Sequence, residues 1–215
     1  MAFTPTFHIV PGSTVKRIIN ANREGVFKAV AGAYRLHASG ETVNPDSYFL
    51  RYRDNPTARI IALPAHIGGA VQKSGIKWIA SFPENRLGNL ARASAVLILN
   101  DARTGYPLAC LEGSLISATR TAASAALAAE HLCPLPFEGT LSVIGTGVIA
   151  RATVDWLLSR NWQFQKVSLY DLDRNEAERF SKWLRTEHDI RAKIEERVED
   201  AVVDSSLILF TTTAP

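Results

Sequence analysis

Apolar residues along this chain change their rhythm once, near residue 139. Before it, short blocks dominate. FHIV (7–10) predicts a brief strand, Pro11-Gly12 a turn, and Ser13 the N-cap of a helix. From Thr14 to Leu36 the positions Val15, Ile18, Ile19, Val26, Val30, Ala33 and Tyr34 recur at helical spacing, with a break between Asn22 and Gly25. SYFLRYR (47–53) and ARIIALP (58–64) predict two strands around Asp54-Asn55-Pro56. GIKWIASF (75–82) and SAVLILND (94–101) predict two more, joined by the polar PENRLGN. LISATRTAASAALAAEHL (115–132) is rich in Ala and Leu and predicts a long helix, stopped by Cys133-Pro134.

After PLPFEG (134–139), strand and helix alternate. LSVIG (141–145) is followed by a helix to Ser159, KVSLYD (166–171) by the amphipathic NEAERFSKWLRTEH (175–188), and SLILFTTTA (206–214) is a further buried strand. This order predicts βαβ units and a parallel sheet, so the boundary divides a domain 1–134 from a domain 139–215. A dinucleotide-binding sheet commonly has roughly six strands. At most four fit before Pro215, so the second domain is expected to be cut short at its C-terminal end.

The 215 residues are 47% apolar and 21% charged, as in ordinary globular proteins. The net charge of +3 is spread along the chain, which fits an anionic small molecule rather than a nucleic-acid surface. No apolar run is long enough for a membrane span and no signal peptide is visible. Cys110 and Cys133 read as reduced packing thiols of a cytoplasmic protein. No His or Cys spacing predicts a metal site, and no GxSxG predicts acyl transfer. Trp78, Phe82 and Trp156 read as core aromatics.

SVIGTGVIARA carries the most specific chemistry. A strand ends at Gly145, Thr146-Gly147 turns tightly, and Ala150 occupies the third small position of GxGxxG/A. Glycines there let a pyrophosphate approach the amides of a helix N-terminus. Asp171 closes the next strand, where an acid accepts from a ribose hydroxyl and repels a 2′-phosphate, favouring NAD over NADP. Asp173 is an alternative for that role, and Arg174 is able to hold a phosphate instead.

Other positions leave alternatives open. Lys77 sits inside an apolar strand, either on an edge with its amine in water or in a pocket holding a substrate. Arg51 and Arg53 alternate with Tyr52, so both point to one face, as a carboxylate fork or as a solvated surface. Arg120 lies among Ala, Thr and Ser, which suits a ligand or a solvated helix face equally.

GIKWIASFPEN, RASAVLILNDARTGYP, LISATRTAAS and VIGTGVIARA, in that order, resemble the ornithine cyclodeaminase / mu-crystallin family over the whole chain. PDSYFLR, IIALPA, SAVLILND, TGYP and ACLEGS look closest to the branch that makes 2,3-diaminopropionate. The resemblance implies an α/β protein: an N-terminal α+β substrate and dimerisation domain, then a Rossmann-type doubly wound parallel sheet. It implies NAD-dependent oxidative cleavage of N-(2-amino-2-carboxyethyl)-L-glutamate to L-2,3-diaminopropionate and 2-oxoglutarate, for siderophores or peptide antibiotics. Ornithine cyclodeaminase, a cyclic-imine reductase, and a non-catalytic crystallin-like nucleotide binder are the alternatives.

Carried over residue by residue, the resemblance gives Lys77 a catalytic and substrate-binding role, as base or cation. Arg51, more than Arg53, matches a substrate carboxylate ligand, and Arg120 contacts substrate and cofactor, with Thr121 beside it. Gly145, Gly147, Val148, Ile149, Asp171, Thr213 and Arg92 match cofactor positions. The family's catalytic aspartate lies beyond the TTTA strand, outside this sequence. A homodimer is implied, joined through the first domain's sheet.

Overall fold

The computed structural model describes residues 6–133 and 135–212. The chain divides into two compact units, residues 1–117 and 118–215. The architecture is mixed α/β.

The first unit contains β1 (His8–Val10), α1 (Gly12–Ala21), α2 (Arg23–Ala38), β2 (Thr42–Val43), β3 (Tyr48–Arg51), β4 (Arg59–Ile67) and β5 (Lys73–Ser81). A 3₁₀ turn (Pro83–Gly88), β6 (Ala93–Asp101) and β7 (Pro107–Glu112) complete it. The strands form one sheet in the order β1-β7-β6-β5-β4-β2, with β3 also paired to β4. From β4 to β7 it is an antiparallel meander, each strand bonded to its sequence neighbour. Helix α1 starts one residue before Ser13: extended Pro11 is its cap, and the Pro11 carbonyl accepts from Thr14 and Val15.

Because opposite residues in an antiparallel pair share a face, the registers sort the side chains. Tyr48, Leu50, Trp78 and Val96 fall on one face, through the pairs Tyr48↔Ala62, Leu50↔Ile60, Trp78↔Ala62 and Trp78↔Val96. All four are exposed, Tyr48 by 72% and Trp78 by 40%. Trp78 is therefore a surface aromatic and not a core one, whereas Trp156 is buried. Lys77 lies on the other face, opposite Leu63 and Leu97.

Helix α3 (Ser114–Leu132) opens at the end of the first unit, and its body belongs to the second. Its small residues Ala122, Ala123, Ala126 and Ala129 are buried. There follow β8 (Glu138–Ile144), α4 (Val148–Ser159), β9 (Gln163–Tyr170), α5 (Arg174–His188), β10 (Ala192–Ile194), α6 (Val198–Val202) and β11 (Leu207–Phe210). Their sheet is wholly parallel, in the order β10-β9-β8-β11. Counted within the sheet this is 3-2-1-4, the opening of the doubly wound order, with its switch point between β8 and β11. Leu141, Val143, Val154, Leu169, Phe180 and Leu184 form the core, each worth about 1.5–3 kcal/mol of burial. The Glu130 carboxylate of α3 is paired with Arg160 at the end of α4.

Candidate functional site

The lysine in GIKWIASF is not on an edge. β5 is laddered along its full length to β4 on one side and β6 on the other. Its amine instead donates to Ser117 Oγ in the first turn of α3, at 3.0 Å, and is half-buried. The helix start that carries Ser117 is anchored by Glu112 at the end of β7. That carboxylate accepts from the Ser114 amide and hydroxyl and from the Leu115 amide, so it caps α3 where a helix favours negative charge. Sequence reading found neither Ser117 nor Glu112. The S-L-I-S spacing after an acid is the signal that would have pointed to the cap.

The same face carries arginines. Arg51 stands directly opposite Arg59, Arg59 opposite Ser81, and Arg92 Nε donates to Ser81 Oγ at 3.3 Å. The Arg51 guanidinium lies over the Phe49 ring, 5.1 Å from its centroid. Phe49 is one row nearer Lys77 on this face (Phe49↔Ile61↔Ile79), so the charged head leans toward the lysine. Arg92 is held below the ordinary guanidinium range by burial first, then by the nearby cations of Arg86 and Arg59.

Arg53 does not share this arrangement. The strand ends at Arg51 and the chain bends at Arg53, so the expected common face of Arg51 and Arg53 is absent. The cause is the connection to β4, which is longer than a tight hairpin. Ala58 is fully buried and bonds back to the Asn55 carbonyl, Thr57 bonds the Asn55 side chain, and Pro56 restricts Asn55.

In the second unit, β8 runs into Gly145, whose φ of +85° is in the left-handed region and whose missing Cβ would stand 3.0 Å from the Thr211 carbonyl carbon and oxygen. Only glycine fits there without strain. Gly147 differs: a Cβ on it would meet nothing within 4 Å. It caps α4 without any side-chain bond to the first-turn amides, leaving Val148 and Ile149 N–H groups facing an open approach. Val148 is exposed and Ala150 fully buried against the core.

Asp171 is placed at the end of β9, beside a hollow lined by Tyr170, Leu172, Arg174, Ile194 and Glu196. One carboxylate oxygen accepts from the Thr146 amide (2.7 Å) and hydroxyl (2.9 Å), and the other from the Asp173 amide (3.0 Å). Asp173 is instead the N-cap of α5, bonding the Asn175 amide. This donor set fits a dinucleotide: free amides at a helix start, open space where a side chain would block phosphate, and an acid with acceptor capacity left.

Arg120 is exposed on α3 and Thr121 half-buried beside it. Thr213 lies outside the described residues. Among those described, no group of three or more His, Cys, Asp or Glu is placed to hold a metal, and no helix is long and apolar enough to cross a membrane. Cys110 and Cys133 are half-buried free thiols.

Comparison with known proteins adds relatives. The family model for ornithine cyclodeaminase/mu-crystallin matches residues 13–215. N-((2S)-2-amino-2-carboxyethyl)-L-glutamate dehydrogenase of Staphylococcus aureus is 36% identical over 189 residues, covering 86% of this chain and 56% of that protein. Thermococcus litoralis Δ(1)-pyrroline-2-carboxylate reductase, solved with NADH and L-proline, superposes with a TM-score of 0.86 at 25% identity, over 97% of this chain and 62% of that one. An archaeal alanine dehydrogenase dimer with bound NAD gives a TM-score of 0.83 at 27% identity, over 96% and 60%. The chain thus spans between about half and two thirds of the length of these relatives.

Proposed function

The chain belongs to the ornithine cyclodeaminase/mu-crystallin family, and from that premise we propose that it is an NAD-dependent amino-acid dehydrogenase. Its proposed substrate is N-(2-amino-2-carboxyethyl)-L-glutamate, cleaved to L-2,3-diaminopropionate and 2-oxoglutarate, a step toward siderophores or peptide antibiotics. The observation that carries this reading is Lys77: a primary amine fixed on an inner strand, on a sheet face that also bears arginines. A substrate with several carboxylates needs such a face; a cationic amino acid such as ornithine needs less of it.

In this reading the first unit takes the substrate and the second the dinucleotide. Arg51 holds a carboxylate and helps fix the α-hydrogen of the glutamate moiety, positioning that contributes several kcal/mol; a substrate and cofactor role for Arg120 rests on family likeness alone. That hydrogen leaves as hydride while the secondary amine loses its proton, giving an imine. Water then adds to the C=N carbon and the C–N bond breaks, releasing diamine and 2-oxoglutarate. NAD⁺, when bound, supplies the hydride acceptor. Lys77 takes the amine proton or activates the water. Gly145, Gly147, Val148 and Ile149 receive the pyrophosphate, Asp171 the ribose, and Thr121 and Thr213 border the cofactor.

The test is NADH formation by the purified protein from NAD⁺ and N-(2-amino-2-carboxyethyl)-L-glutamate, with L-ornithine plus NAD⁺ and Δ(1)-pyrroline-2-carboxylate plus NADH in parallel. NADH and 2-oxoglutarate rising together with the first compound alone is the expected result. Proline from either of the others would replace the substrate assignment. Inertness toward all three with NADH bound would leave a nucleotide-binding protein.

We also propose a cytoplasmic homodimer formed through the exposed apolar sheet face of Tyr48, Leu50, Trp78 and Val96. A contiguous apolar patch of this kind marks an interface. Trp78→Asp would bury an unpaired charge at its centre and should weaken self-association at least about 30-fold. Sedimentation of the wild type as a monomer at micromolar concentration would remove the proposal.

A further inference from the structure

Resting on that substrate reading, we propose that Arg59 and Arg92 form a clamp for the substrate's distal carboxylate, making Arg59 the residue that selects a polycarboxylate. Arg59 matches none of the positions for which sequence or family likeness suggested a role.

The case begins with charge. Arg51 and Arg59 are directly opposed in the β3–β4 ladder, an arrangement that destabilises a sheet unless something negative relieves it. One row further, Ser81 faces Arg59 and is bonded by Arg92, which gathers a third guanidinium at the same end of the face. Burial and the fields of Arg86 and Arg59 already press on the charge of Arg92. Among the described residues, none of the ion pairs involves Arg51, Arg59, Arg86 or Arg92. Among the described residues, the cations concentrated here have no carboxylate paired with them.

Spacing then suggests the ligand. Lys77 and Ser81 are four residues apart on β5, about 13 Å along the strand. The Arg51 head leans toward Phe49 and so toward the Lys77 end, while Arg59 and Arg92 remain at the far end. With side chains reaching inward from both ends, the gap suits one extended molecule carrying anions at each end. Between them the floor is apolar, from Ile61 and Ile79, which suits a methylene spacer. A single carboxylate next to the reacting carbon would leave the far arginines unused.

The test compares wild type, Arg59→Gln and Arg59→Lys with two keto acids differing only at the far end, 2-oxoglutarate and 2-oxobutyrate. Binding is measured by calorimetry on the NADH-loaded protein, and NADH affinity by fluorescence. Wild type should prefer 2-oxoglutarate. Arg59→Gln should weaken 2-oxoglutarate roughly 10- to 100-fold, leave 2-oxobutyrate and NADH unchanged, and Arg59→Lys should recover part of the loss. Weaker NADH binding in Arg59→Gln would assign the cluster to dinucleotide phosphates and overturn the clamp. Equal loss of both keto acids would also overturn it, as a structural effect. If wild type discriminates and Arg59→Gln discriminates equally well, the clamp falls and the substrate reading stands. If wild type shows no preference, both fall.

Discussion

Lys77→Met should lower kcat/KM for the proposed substrate, N-(2-amino-2-carboxyethyl)-L-glutamate, by about 10²- to 10⁴-fold, the usual worth of a positioned acid or base, with NADH affinity unchanged. Methionine keeps the length and volume of the chain between Leu63 and Leu97, so the sheet has no reason to rearrange. What disappears is the amine, together with its 3.0 Å bond to Ser117. Lys77→Arg separates the two roles the residue is able to play. A guanidinium does not give up its proton, so it restores substrate binding if Lys77 serves as a cation, and does not restore turnover if Lys77 moves a proton. Full activity in Lys77→Met would remove the residue from the chemistry.

Two glycines two residues apart should respond in opposite ways to the same substitution. Gly145→Val is expected to lower unfolding free energy by about 2–4 kcal/mol, because it forces a β-branched residue to a φ of +85° and pushes a Cβ to 3.0 Å from the backbone of Thr211. Gly147→Val meets no atom within 4 Å and should unfold at the wild-type urea midpoint. Its side chain instead fills the approach to the free amides of α4, so NADH should bind about 100-fold more weakly. Urea melts and a fluorescence titration on both variants decide the matter; unchanged NADH affinity in Gly147→Val would separate this turn from the nucleotide.

The sequence was a good guide where a pattern is local. The glycine turn, the parallel strands around it and the Ala-rich helix all rest on neighbouring residues, and the structure has them close to where periodicity put them. It was a poorer guide where register decides. Arg51 and Arg53 looked like partners because alternation assumes that a strand continues; the strand ends at Arg51, and the partner across the ladder is Arg59, eight positions away in number. No single-strand pattern contains that pairing, since it depends on the length of the connection around Asn55. Trp78 misled for a related reason. Alternation placed it on a face, but whether that face meets a core or an open surface is set by elements distant in sequence. The short β2 and β10 were missed because strands of this kind owe their existence to a neighbour already in place; β7, PLACLE, was missed because its apolar alternation is interrupted by small residues.

The bonds that Asp171 makes to Thr146 and Asp173 change how a dinucleotide's affinity is built up. Three of the roughly four acceptor sites of the carboxylate are already engaged, and they tie the glycine turn to the end of the next strand. The loop's conformational entropy is thus lost during folding and not during binding, which leaves more of each phosphate contact visible as affinity. The same coupling means that the defect of an Asp171→Ala protein would sum two losses, the proposed ribose bond and a loosened turn. An affinity change measured at Asp171 is therefore an upper bound on what the ribose contributes, whereas one measured at Gly147 reports on the phosphate approach alone.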